Sequence, residues 1–156
     1  MMNARQVLVL SLGAPLAALV VACGNGSSVP TASTASIDSF VSTYNQGLGS
    51  PQAMNNASFT DLFDEAFMDS GYSKAQVLDS IKQDAANASA IDADSAFPAM
   101  AIADAKVGQC DDNTGLCTLT ATYVNPAPDG SSITAAVPVR YKDGKFRLYG
   151  DQKNAG

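Results

Sequence analysis

The apolar pattern of this chain changes period once, near residue 97, and that change decides the fold class. Before it, apolar residues recur every three to four positions. Ile37, Phe40, Val41, Tyr44 and Leu48 form one stripe. Phe59, Leu62, Phe63, Ala66 and Phe67 form a second, and Val77, Leu78, Ile81, Ala85 and Ala88 a third. Such spacing puts each set on one face of a helix. After it, a period of two runs through residues 97–109, 116–124, 132–141 and 145–150, the mark of half-buried strands. Between these runs stand CDDNTG, NPAPDG and KDG, all rich in turn-forming residues. Three helices followed by four hairpin-linked strands predict an α+β domain with antiparallel pairing.

Local signals place the helix ends. Ser36 is the expected N-cap of the first helix, with Asp38 in its first turn and Gly47 or Gly49 at its end. SPQAMNN then turns the chain. Ser58 with Asp61 resembles a capping box for the second helix, which Gly71 stops. Ser73 with Gln76 is the clearest capping box, and Tyr72 with Val77 occupies the staple positions around it.

Over roughly residues 36–151 this layout resembles the nuclear-transport-factor-like, or cystatin-like, superfamily, which includes ketosteroid isomerase-like domains. The resemblance is carried by FTDLFDEAFMDSGYSKAQVLDSI and by the closing VPVRYKDGKFRLYGDQ. It implies N-terminal helices packed on a curved four-stranded antiparallel sheet to form a cone. In the superfamily's enzymes an acid or base and a tyrosine donor sit inside that cone, which makes Tyr44, Asp64 and Glu65 the candidate pocket residues. The ketosteroid isomerase set of an Asp base, a Tyr and a protonated Asp finds no matching positions, so no catalytic residue is assigned. Tyr44 reads more simply as a core aromatic, and Asp64 and Glu65 as solvated helix residues.

The N-terminus carries a different message. Arg5 precedes an apolar run, Val7 to Val21, broken only by Ser11 among polar residues. That run is short of the roughly 20 residues a membrane span needs and describes a secretory signal peptide. It ends in Val20-Val21-Ala22-Cys23, which resembles the lipobox of bacterial lipoproteins. The resemblance implies a signal peptide over 1–22, a diacylglyceryl group on the Cys23 thiol and cleavage before it. Several acyl chains would then hold the protein on a membrane, where one chain is marginal. Gly24, rather than Asp, favours the outer over the inner membrane. Residues 23–35 are small, polar and uncharged and read as a flexible tether. The domain spans 36–151, and 152–156 form a C-terminal tail.

With Cys23 lipidated, two of the three cysteines remain, Cys110 and Cys117, on either side of a turn. In an oxidising compartment they are expected to form a disulfide. A metal or redox pair is the alternative, which the C-x6-C spacing and the absence of histidine disfavour. Lack of histidine also removes Ser-His-Asp and Cys-His nucleophile systems. Asp111-Asp112-Asn113 lacks the ligand spacing of a calcium loop and reads as turn chemistry. GNGSS lies in the tether and is not a phosphate loop. No metal and no cofactor are implied. A net charge of −6, or −7 once Arg5 is removed, argues against nucleic acid as a partner.

One cationic cluster stands out. Five of the nine lysines and arginines are Arg140, Lys142, Lys145, Arg147 and Lys153. A turn at Asp143-Gly144 sets Lys142 opposite Lys145 and Arg140 opposite Arg147, all on one sheet face. Like charges directly opposite are unfavourable. The face is therefore simply solvated, or it meets acid: the protein's own Asp-rich helices, or an anionic lipid or polymer. The reading that follows is a membrane-anchored envelope lipoprotein with a small binding or accessory domain, its partner an envelope protein, a polymer or a small apolar ligand. An envelope assembly protein and a ketosteroid isomerase-like isomerase, dehydratase or lyase are the alternatives.

Overall fold

The structure is a computed structural model that describes residues 34–87, 100–125 and 130–153. The lipobox, the tether before Thr34, Ala88, the start of the first strand pattern at Phe97, Pro126 to Asp129 of the NPAPDG turn and the last three residues lie outside that range. The architecture is α+β. Helices face a curled four-stranded antiparallel sheet, consistent with a nuclear-transport-factor-like cone.

Helix α1 (Thr34–Gly47) begins before the expected cap, so Ser36 lies inside its first turn. Its stripe is the one read from the sequence: Phe40 and Tyr44 are buried, and Ile37, Val41 and Leu48 pack against them. Asn45, on its flank, donates from Nδ2 to the Ile102 carbonyl and accepts the Ile102 N–H on Oδ1, each at 2.9 Å. One side-chain amide thus satisfies both backbone groups of a residue in the first long strand.

The segment SPQAMNN, expected as a turn, contains a short helix, α2 (Pro51–Met54). Ser50 caps it by accepting from the Ala53 N–H at 3.1 Å, and Pro51 takes the first helical position, where its missing N–H costs nothing. A second short helix, α3 (Ala57–Thr60), is capped by Asn56 and not by Ser58. Asp61 closes that helix, so the expected Ser58–Asp61 box does not form.

The helix expected over the second stripe stops at Thr60 because another partner takes its backbone. Leu148 N–H donates to the Leu62 carbonyl at 2.6 Å, and Asp64 N–H donates to the Leu148 carbonyl at 2.9 Å. Phe63 thereby pairs with Leu148 as a parallel bridge. Phe59, Leu62, Phe63 and Phe67 are buried all the same. Gly71 does not end a helix. It shares with Ser70 a two-residue turn, φ 84° and 51°, between β1 (Met68–Asp69) and β2 (Tyr72–Ser73). Positive φ at both central residues is what a type I′ hairpin turn requires.

Helix α4 (Lys74–Asn87) follows at once. Ser73 N–H donates to Gln76 Oε1 at 2.9 Å and Gln76 N–H donates back to Ser73 Oγ at 3.5 Å, the reciprocal capping box. The helix buries Val77 and Ile81.

The sheet runs in the order β3 (Ala101–Val107), β4 (Leu116–Val124), β5 (Ser132–Lys142) and β6 (Lys145–Leu148). Alternate residues face the helices: Cys117, Leu119, Ala121 and Tyr123 on β4, Ala135, Val137 and Val139 on β5, Phe146 and Leu148 on β6. Beyond β6 the chain crosses to the 68–73 hairpin. Met68 N–H donates to Tyr149 O, Gln152 N–H to Met68 O and Gly71 N–H to Lys153 O, at 2.8–3.1 Å. Gln152 and Lys153, expected to open a tail, are therefore held by the domain.

Gly47 ends α1 directly above Phe59, and a Cβ there would collide with that ring. Alanine's better helix propensity returns at most about 1 kcal/mol, against about 1–3 kcal/mol for overpacking a filled core. Gly47→Ala is expected to lower stability to urea, and to cost less in a Phe59→Leu background. Equal costs in both backgrounds would show that the ring is not what the methyl meets.

Candidate functional site

Tyr44 lies in a run of rings that fills the space between α1 and the sheet. Successive centroids from Phe40 through Tyr44, Phe59 and Phe63 to Phe67 are 6.4, 6.1, 5.9 and 5.0 Å apart. Those spacings are ordinary for packed aromatic pairs. Burial, with Tyr123 nearby, pushes the Tyr44 hydroxyl well above its usual range, and burial pushes Tyr123 up to about 12. Both remain neutral phenols at any physiological pH. Tyr44 is a core aromatic.

The expectation that Asp64 is a solvated helix residue fails. No helix passes through it, and its pairing with Leu148 turns it inward, leaving its side chain 7% exposed. Arg140 Nη1 donates to Asp64 Oδ1 at 2.7 Å, and the Ala66 N–H donates to the same oxygen at 2.9 Å. The guanidinium carbon of Arg140 also lies 4.5 Å from the centre of the Tyr149 ring, a cation–π arrangement. Glu65 points to water and accepts a 2.7 Å hydrogen bond from Lys74 Nζ, which, with Arg147 nearby, holds its carboxyl below the usual range. Among the described residues no hydrogen bond joins Tyr44 to Asp64 or Glu65. The three candidate pocket residues are not one site.

The hairpin register is the one expected, with Arg140 opposite Arg147 and Lys142 opposite Lys145. The four cations do not act as one face, however. Arg140 is committed to Asp64 and Arg147 is half-buried near Glu65, while Lys142 and Lys145 are exposed at the tip. The protein's own acids thus meet the inner pair.

A pocket of about 200 Å³ opens where α1, the end of α3 and the β5–β6 turn meet. Phe40, Leu62 and Phe146 form its apolar floor, Ser39, Thr43 and Ser58 bring hydroxyls, and Asp61 and Lys145 bring opposite charges. Ser36, Ser39 and Thr43 recur along one flank of the α1 stripe, which is visible in the sequence. Asp61 and Lys145 come from segments that no local pattern joins to it. Among the described residues no three metal-ligating side chains converge.

Cys110 and Cys117 are bonded, with Cα atoms 4.2 Å apart. Closing so small a loop contributes about 2.5 kcal/mol in the chain-entropy account. Inside it, Asp111 Oδ1 accepts from Asn113 N–H, Thr114 N–H and Thr114 Oγ1 at 3.0, 2.8 and 2.8 Å, which lowers the Asp111 carboxyl. The acidic run is turn chemistry. No family model, curated protein or solved structure matches this chain.

Removing Arg140 leaves Asp64 buried without its cation. Losing one partner of a fully buried pair costs about 3–5 kcal/mol. Arg140 is partly wet, so about 2–3 kcal/mol is expected for Arg140→Ala in urea unfolding. Lys142→Ser should stay within about 0.5 kcal/mol. A second expectation concerns Asp69, which is buried and accepts the Asp151 N–H at 3.1 Å. Burial raises its carboxyl, and the Asp151 charge adds to this against that hydrogen bond. A raised folded value means that stability is highest below the unfolded value and falls as pH rises through the folded one. Asp69→Asn removes that loss, so unfolding measured against wild type should favour the variant more at pH 7 than at pH 3.

Proposed function

We propose that this chain is a lipid-anchored bacterial envelope protein whose folded domain is a binding or accessory module working at the end of the molecule where α1 meets the β5–β6 turn. The observation that carries the reading is the pocket there. It sets Asp61 and Lys145 over an apolar floor, beside a core packed with aromatic and aliphatic side chains. Export is supported by the Cys110–Cys117 bond, since such bonds persist in oxidising compartments. The VVAC sequence after a short apolar run supports lipidation at Cys23, and Gly24 favours the outer membrane. An isomerase-like role has less behind it, because Asp64, its best-placed base, is spent on Arg140.

The anchor is tested on protein extracted from bacterial membranes. Its intact mass should equal residues 23–156 plus acyl groups, with one disulfide. Cys23→Ala should abolish processing and release the chain from the membrane fraction. A processed, unacylated chain in the soluble fraction of wild-type cells would falsify the lipoprotein reading.

A further inference from the structure

We propose that the pocket between α1 and the β5–β6 turn takes a small zwitterion, specifically a free α-amino acid with a short aliphatic side chain. The proposal rests on the binding-module reading and names the ligand class for that site. It does not depend on the lipid anchor.

Size comes first. About 200 Å³ is below the roughly 300–1,000 Å³ of pockets for drug-sized ligands. Charge comes next. Asp61 and Lys145 are both exposed and both line the pocket, yet neither belongs to any ion pair among the described residues. They do not reach each other. A singly charged ligand entering this space gains one attraction and meets one repulsion. A molecule carrying an ammonium and a carboxylate a few bonds apart satisfies both charges at once. The hydroxyls of Ser39 and Ser58 add hydrogen-bonding groups beside the charges.

The floor decides between a zwitterion and a sugar. A sugar wants an open ring face to stack on. Phe40 and Phe146 are each only 4% exposed and Leu62 7%, so the floor shows too little ring surface for a sugar to stack on. So small an apolar floor suits a methyl or a short aliphatic chain. Access is not blocked from the turn side. Gly144, with φ 77°, has nothing within 4 Å of where a Cβ would stand.

The test uses the full chain in detergent micelles, with amide shifts of Gly144 and Thr43 as the readout. Three probes are compared: alanine, alaninamide, which lacks the carboxylate, and N-acetylalanine, which lacks the ammonium. Exposed charge pairs contribute modestly, so weak binding of alanine is expected, with each capped probe about fivefold weaker. In Lys145→Gln, alanine and alaninamide should bind alike while N-acetylalanine stays weaker. In Asp61→Asn the pattern should reverse. Both substitutions are at exposed positions, and unchanged amide dispersion elsewhere shows that the fold is kept. Absence of any shift at about 20 mM alanine overturns the proposal. So does equal binding of the three probes to wild type, or a variant that weakens all three by one factor. Because the probes act in micelles, a chain that binds alanine but carries no lipid sinks the anchor and keeps the pocket. A lipidated chain that ignores alanine does the opposite.

Discussion

Two backbone hydrogen bonds between residues 62–64 and Leu148 hold the N-terminal half of this domain to its last strand. They impose three things at once. They end α3 after Thr60, they bury Phe63 against the core, and they deliver Asp64 to Arg140. The ion pair has its value only through that placement. A carboxylate taken out of water needs a partner, and Arg140 supplies it from a strand already fixed by its pairing with β4 and β6. Stacking on Tyr149 keeps the guanidinium in place. A like-charged cross-strand pair, Arg140 opposite Arg147, is tolerated because the segment lying beside it brings acids to both.

How much of this was legible in the sequence depends on the range of the interaction involved. The β4 boundaries, the hairpin register at Asp143-Gly144, the Ser73–Gln76 box and the disulfide all follow from neighbours a few residues apart, and the structure shows them. The second stripe does not become a helix beyond Thr60, for a physical reason. Phe59, Leu62, Phe63 and Phe67 are spaced as on a helix, and they are buried, but Leu148 competes for the same backbone groups from far along the chain. Periodicity reports which side chains are buried. It does not report which backbone partner wins. The pocket is invisible in the sequence for the same reason, since Asp61 and Lys145 come to line one space only after that docking.

The charges divide accordingly. Asp64 has left water, and Arg140, still partly wet, is committed to it, so the pair acts as structure. Glu65, Lys74 and Arg147 form a looser group at the surface, where screening leaves each contact small. Lys142 and Lys145 stay free at the hairpin tip. A cationic cluster counted along the sequence therefore overstates the cationic surface, because Arg140 is paired with Asp64 and Arg147 is half-buried near Glu65.

The two edges of the sheet complete the picture. The β6 edge is covered where Phe63 pairs with Leu148. At the β3 edge, Asn45 occupies both backbone groups of Ile102, the register shifts between Ile102 and Asp104, and Asp104 and Lys106 are exposed beyond it. Bulges, inserted side chains and charge are the devices that keep an open strand from pairing with another chain. A domain tethered to a membrane would meet its neighbours at far higher local concentration than a free one, and edge pairing grows with that concentration. If the chain is lipid-anchored as proposed, a blunted β3 edge would be a condition for such copies to stay folded separately.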